Sequence, residues 1–290
     1  MVTPKKINGI RLSNDFVQLC QETGTSKERP LNPLYLDLSS EQINLVLLTL
    51  KLTGGRASFC GLASMGQSGL PSSDDDPGCT GREPVSTVSV FPHRGRMDLL
   101  GALLSGSVIA GDGLLSLSCS HAMISLVVNA ADTDALIDRL CREFDLPASK
   151  VITEQPEDKK ELSEFIRHRY PQTRATYQED KIKTYGIEIR PGMTLGSAEL
   201  ETGEQVADLG KLFETGAFGT NVLHHVSGFR SSGSRFVLDL VTEDPLYDME
   251  SGGMKNEGWN FSTRTVDLIS FYGPHYGDRF GIAGRALECL

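Results

Sequence analysis

The sequence has no long apolar run. Its apolar stretches, such as 43–50, fall far short of the roughly 18 to 20 residues that a membrane-spanning helix needs. No membrane association is expected. There is no basic block either. Lys and Arg number 28 against 38 Asp and Glu, giving a net charge of −10 and a pI near 5.1. Nucleic-acid affinity comes chiefly from counterion release by Lys and Arg, so nucleic acid is excluded as an expected partner. The N-terminal Met1-Val2-Thr3-Pro4-Lys5-Lys6 leads into no apolar run, so no signal peptide is read there. The six cysteines, Cys20, Cys60, Cys79, Cys119, Cys141 and Cys289, include no Cys-x-x-Cys pair, the usual mark of a structural zinc site. They are read as scattered thiols of a reducing cytoplasm. Phosphate-loop and His-Glu-x-x-His motifs are missing, and Gly66-Gln67-Ser68-Gly69 has the wrong spacing for a nucleophile elbow. Asp74-Asp75-Asp76 lacks the alternating ligands and distal Glu of a calcium loop. No cofactor and no metal is expected.

What remains is an ordinary globular composition, 39% hydrophobic and 23% charged. At roughly 150 residues per domain, 290 residues make about two ordinary domains or several small ones. Gly and Pro gather in 61–84, which reads as a linker. The polar stretch 154–180, with a helical pattern at 159–169, reads as a connector, and 247–258 as a loop. These breaks leave structured pieces at about 7–60, 85–152, 182–245 and 264–290.

The second piece is the clearest. A β-rich run at 85–91 enters the turn Pro92-His93-Arg94-Gly95. Met97, Leu99, Leu100, Leu103 and Leu104 then form a helical stripe. Two short strands at 114–118 and 123–129 follow, and Asp132-Thr133-Asp134 opens a helix with Leu136, Ile137, Leu140 and Phe144 on its apolar face. A last strand is read at 150–152. The order βαββαβ predicts an α+β fold, an antiparallel ferredoxin-like sheet with both helices on one face. The third piece repeats the order with a strand at 185–189, a helix at 204–213 and a hairpin of 221–226 with 235–242. The first piece has a strand at 7–12 and a strand pair around Gly54-Gly55. The last has a strand at 266–271 and a helix from about 279.

A short repeat links two of the pieces. Pro92-His93-Arg94-Gly95-Arg96 and Pro274-His275-Tyr276-Gly277-Asp278-Arg279 each leave a strand, pass Pro-His-x-Gly and reach an Arg at a helix start. Such a turn offers backbone N–H groups to an anion or carboxylate. His93 and His275 then either hydrogen-bond a ligand carboxylate beside the Gly95 or Gly277 N–H, or cap a helix or lie on the surface while Pro and Gly shape the turn. Asp278 meets an α-ammonium group or serves the helix dipole. Ser118, Ser120 and His121 lie at a strand end and hairpin tip. His224 and His225 point to opposite faces of a strand and cannot share one metal.

Val88-Ser89-Val90-Phe91, Leu99-Leu100-Gly101-Ala102-Leu103-Leu104 and the stretch 115–128, Ser-rich and then apolar, resemble the regulatory ACT domains of aspartokinases. The resemblance is best over 85–146, fair over 265–290, weak over 182–245 and weaker still over 7–62. It implies tandem ferredoxin-like ACT modules, paired side by side, that bind a free amino acid such as lysine or threonine at their interface. The modules expected are 1–64, 85–152, 182–263 and a partial one at 264–290, with 65–84 as linker and 153–181 as connector. The expected ligand-binding residues are His93, Arg94, Gly95, Arg96, His275, Tyr276, Gly277, Asp278 and Arg279 of the two repeated turns, with Ser118 and Ser120 of the second strand, from which the resemblance implies backbone contacts to a ligand. Two departures stand out. The kinase domain that precedes the ACT pair in that family, with its Lys-Phe-Gly-Gly type motif, has no counterpart here. The last unit stops after one helix, which implies truncation or completion by another segment. The expected protein is a cytoplasmic, non-catalytic, allosteric regulator. It pairs as a homodimer, because an unpaired sheet edge is a liability, and serves an amino-acid biosynthetic enzyme. A kinase-related enzyme subunit and an interaction scaffold with inactive sites are the rivals.

Overall fold

The computed structural model describes residues 7–24, 38, 40–41, 43, 45–53, 56–65, 79–80, 84–107, 113–154, 184–214, 221–231, 235–246 and 260–272. The readings at 66–78, 159–169, 247–258 and 273–290 lie outside them. Among the described residues no helix is long and apolar enough to cross a membrane.

The elements are β1 (Gly9–Gly24), β2 (Leu45–Thr53), β3 (Arg56–Ser64), β4 (Cys79–Thr80), β5 (Pro84–Phe91), α1 (Met97–Ser107), β6 (Leu114–Cys119), β7 (Ile124–Asn129), α2 (Thr133–Glu143), β8 (Val151–Glu154), β9 (Gly186–Leu200), α3 (Gly203–Glu214), β10 (Leu223–Arg230), β11 (Phe236–Thr242) and β12 (Asn260–Tyr272). One sheet runs through them in the order β12-β9-β11-β10-β6-β7-β5-β1-β3-β2, with β4 and β8 also paired to β1. The chain is α+β, and every pairing is antiparallel except β1 with β8.

Two βαββ units share this sheet. β5-α1-β6-β7 and β9-α3-β10-β11 meet at their second strands, where Ser118, Leu117 and Ser116 of β6 face Ser227, Gly228 and Phe229 of β10. The helices cover one face. Val88, Val90, Leu117, Leu126, Val226, Leu238 and Leu240 point into a core with Leu99, Leu100, Leu103, Leu136, Leu209 and Phe213. Each such side chain, fully buried, stabilises the fold by about 1.5–3 kcal/mol relative to exposure.

Several boundaries differ from the sequence pattern. The strand read at 7–12 continues to Gly24 through a bulge between Ser13 and Phe16, where Asp15 has φ 64°. β9 likewise passes through Pro191-Gly192, which the pattern treats as a break. The register with β12 slips there, and Gly192 takes φ 71°. Pro191 is tolerated because the ladder is interrupted at the slip. Asp132 precedes α2 but makes no side-chain cap; a 3-10 turn at Ala130–Asp132 leads in instead.

The expected modules are also rearranged. In a closed βαββαβ unit β8 would lie beside β5, but β1 occupies that place and β8 sits one position further out. The leading strand of the first piece is therefore built into the second. The strand assigned to a partial unit at 264–290 runs along β9 and closes the third piece.

Beyond its bulge, β1 carries β3 and β2 back over the helix-free face. Cys20 and Cys60 pack on Phe229, and Leu62 packs with Val85 and Val127. Lys51 Nζ reaches Asp239 on β11 at 2.8 Å, and Ser197 Oγ also donates to Asp239. The outer side of this second layer has its own core of Val17, Leu19, Phe59 and Ala63, covered by Leu38 and Ile43. This is why β5 is buried on both faces, Ser86, Thr87 and Ser89 included, rather than alternating.

Candidate functional site

Among the described residues the two units meet at the β6–β10 ladder, the α1–α3 crossing and the turn that follows β5. The helices touch through glycines. Gly101 and Gly210 lie so close that a Cβ on either would fall within 2.7 Å of the other's carbonyl oxygen. Ser105 Oγ fastens the crossing: its one O–H lies 2.9 Å from Gly101 O and 2.7 Å from Glu214 Oε1, either of which can accept it.

The turn spans Pro92 to Arg96. Arg94 and Gly95 both have positive φ, 51° and 67°. Gly95 is needed there twice over, because a Cβ would also sit 2.8 Å from Val222 Cγ1. The Leu223 N–H donates to Gly95 O at 2.8 Å, and Arg96 forms a β-bridge with Val222. The turn of one unit is thus seated on the start of the other unit's second strand.

His93 organises this turn from inside and is buried. Its Nδ1 accepts the Gly95 N–H at 3.0 Å, so the proton sits on Nε2, which donates to Ser120 O at 2.9 Å. The His93 N–H donates to Ala122 O at 3.2 Å. His93 therefore ties the turn to the β6–β7 hairpin. The Gly95 N–H that the sequence offered to a carboxylate is already taken by the imidazole.

The other sequence-predicted residues divide clearly. Arg94 is exposed. Arg96 is half-buried beside Val222, and its Nε donates to Asp98 Oδ1 at 3.0 Å while a second guanidinium nitrogen meets Oδ2. The Asp98 hydrogen bond raises the Arg96 pKa further, against a smaller opposing effect of burial. Ser118 is half-buried between Ser125 and Ser227 in the ladders. Ser120 is exposed and its Oγ accepts from the Ala122 and Met123 N–H groups. His275, Tyr276, Gly277, Asp278 and Arg279 lie outside the described residues. The structure thus gathers His93, Gly95 and Arg96 at the junction, places Ser120 across the hairpin, and adds Asp98 and Val222. Asp98 was legible as a carboxylate two residues after Arg96. Val222 carried no signal.

With this geometry in place, the chain can be set against known proteins. It superposes on a Synechocystis aspartate kinase with a TM-score of 0.65 and 10% identity, over 98% of this chain and 49% of that one. The fold is shared with an aspartate kinase. The chain spans about half the length of that relative. Weaker likenesses are to regulatory subunits of aspartate kinase from Thermus flavus, TM-score 0.40 and 15% identity, and from Thermus thermophilus, TM-score 0.39 and 14% identity. Each covers 48% of this chain and 99% of that one. No family model matches the chain, and no curated protein matches its sequence.

The two histidines of β10 do diverge to separate surroundings. His224 accepts from Arg190 at 3.0 Å and lies 4.0 Å from Glu243. His225 lies 3.9 Å from the Cys119 sulfur, which accepts the Val226 N–H at 3.1 Å. Among the described residues no three His, Cys, Asp or Glu side chains are grouped to hold a metal. Burial pushes the pKa of both histidines below the ordinary 6.5; Arg190 adds to the effect at His224, while Asp239 opposes it at His225. The unfolded chain therefore takes up protons first as pH falls, and stability drops below about pH 6.5. Urea midpoints measured from about pH 7.5 to 5.5 should fall, a window in which ordinary carboxylates contribute little. His225→Gln should flatten that fall. An equally steep fall in the variant would show that His225 takes no part.

Proposed function

We propose that the chain is a non-catalytic regulatory protein that binds a free amino acid at the junction between its two βαββ units. The seated turn carries this reading. It brings the Arg96–Asp98 ion pair, about one-third exposed on each side chain, to the start of the neighbouring unit's second strand. A zwitterion matches that pair, with its carboxylate toward Arg96 and its ammonium toward Asp98. The fold shared with an aspartate kinase supports the choice of ligand, an aspartate-family amino acid such as lysine or threonine. An amino-acid biosynthetic enzyme is the regulated partner in this proposal, and the setting is cytoplasmic. Homodimerisation belongs to it as well. β12 has no outer partner among the described residues, and Ile269 and Phe271 are exposed on it beside Ile187 and Ile189 of β9.

A thermal-shift panel of the twenty amino acids, with ATP and magnesium as a further arm, tests the proposal. Ligand at a hundred times its Kd should add about 2.7 kcal/mol to native stability. A rise with one or two aspartate-family amino acids is expected, with the mass of a dimer by sedimentation. No response to any amino acid would favour an interaction scaffold. A response to ATP alone would favour an enzyme.

A further inference from the structure

Independently of the ligand, the geometry points to Cys20 and Cys60 as a dithiol pair that closes reversibly to a disulfide inside the double layer. The two residues are direct partners across β1 and β3. Opposed Cα atoms of antiparallel strands lie about 4.5–5.5 Å apart, inside the range that a disulfide spans. Their sulfurs are 3.0 Å apart, and both side chains are buried.

The surroundings are those of a reactive group rather than a plain core. Gln18 Nε2 donates to Cys20 Sγ at 3.1 Å, while Gln18 Oε1 is buried and has no partner. Ser116 lies beside Cys60, and Phe229 packs with the two cysteines in one buried cluster. Leaving an amide oxygen unpaired in a buried layer is costly, and an aliphatic residue in place of Cys20 would leave the Gln18 amide N–H without its partner as well. The Cys60 contact, with the Gln18 N–H, holds the Cys20 thiol below its ordinary pKa against the effect of burial, whereas the Cys20 sulfur and burial push Cys60 well up. Cys20, whose sulfur accepts the Gln18 amide N–H, is the sulfur placed to act as nucleophile, with Cys60 as the resolving thiol.

Hydrogen peroxide is the oxidant that suits so enclosed a site, being small and uncharged. The Cys20 thiolate attacks one peroxide oxygen, the O–O bond breaks, and hydroxide leaves and takes up a proton as water. Cys20 is now a sulfenic acid. The Cys60 sulfur attacks the Cys20 sulfur, the S–O bond breaks, and the departing hydroxide takes the Cys60 proton as a second water. Two thiols lose two electrons and two protons to one peroxide. The new bond would fasten β1 to β3 directly over Ser116 and Phe229, which face each other at the β6–β10 junction.

The test is peptide mapping of the reduced full-length chain after peroxide treatment, with the remaining thiols alkylated in denaturant. The expected result is a Cys20–Cys60 linked peptide. Accessible thiols should fall from the six of the sequence to four and recover fully with dithiothreitol. The Cys119→Ser/Cys141→Ser chain should still lose two. Complete alkylation of Cys20 and Cys60 after peroxide, or a bridge from either to another cysteine, would overturn the proposal. The wild-type map decides this even if the variant fails to fold.

Discussion

Gly101→Leu should unfold the chain or cost it at least about 3 kcal/mol, the upper range for forcing bulk into a packed interior. A Cβ at position 101 would sit 2.6 Å from Gly210 O and 2.8 Å from the Glu214 backbone N, and neither backbone atom can swing aside. The two helices would have to separate, taking with them the Ser105–Glu214 hydrogen bond and straining the β6–β10 ladder below. Gly106→Ala is the control within the same helix. Its Cβ would meet Leu140 Cδ2 at 3.6 Å, an ordinary contact. Alanine's better helix propensity should then leave stability unchanged or raised by about 0.5–1 kcal/mol. Urea denaturation of both variants reads the difference. Equal midpoints would mean that the α1–α3 crossing does not hold the units together.

His93→Leu should cost about 1–3 kcal/mol. The leucine fills the space but leaves the half-buried Gly95 N–H and the Ser120 carbonyl without the partner each now has, and leaving a buried polar group unpaired costs about 1–3 kcal/mol, less where water reaches it as at Ser120. The turn would loosen from the hairpin, and the Leu223–Gly95 hydrogen bond that seats it on β10 would weaken. Denaturation reads the stability, and amide exchange at Gly95 and Leu223 reads the turn. Unchanged stability with unchanged protection of both amides would remove His93 from its place as organiser.

The local patterns were legible because each depends on few residues. The stripe Leu99, Leu100, Leu103, Leu104 announces α1, and the short β-branched, apolar run in 124–128 announces β7. The helix expected at 204–213 is α3, and its start was not read from the sequence: Thr202 Oγ1 accepts the Gln205 N–H and Gln205 Oε1 accepts the Glu201 N–H. Long-range placement was not legible. Nothing local in Gly9–Gly24 says that its first half pairs with β5 while its second half folds over the opposite face. The bulge that permits this rests on Asp15 in a conformation that Asp tolerates but does not announce. Nor did Gly101 and Gly210 stand out. A glycine in a helix pattern reads as a weakness until the partner helix is seen against it.

The candidate site was half legible. Pro-His-x-Gly drew attention to the turn at 92–95, but nothing in the sequence said that this turn would be seated on β10 through the Gly95–Leu223 and Arg96–Val222 contacts. The role expected of the imidazole was a different matter. A histidine looks available in a sequence, and only the distances from Nδ1 to Gly95 N and from Nε2 to Ser120 O show it fully occupied.

The most direct measurement is calorimetric titration of lysine and of threonine into the wild-type chain and into Arg96→Met. Saturable binding of at least one of them to the wild type is expected, weakened at least tenfold in the variant, a change of about 1.4 kcal/mol. Binding of equal strength to both proteins, or no heat from either amino acid, would contradict the placement of an amino-acid site at the junction of the two units.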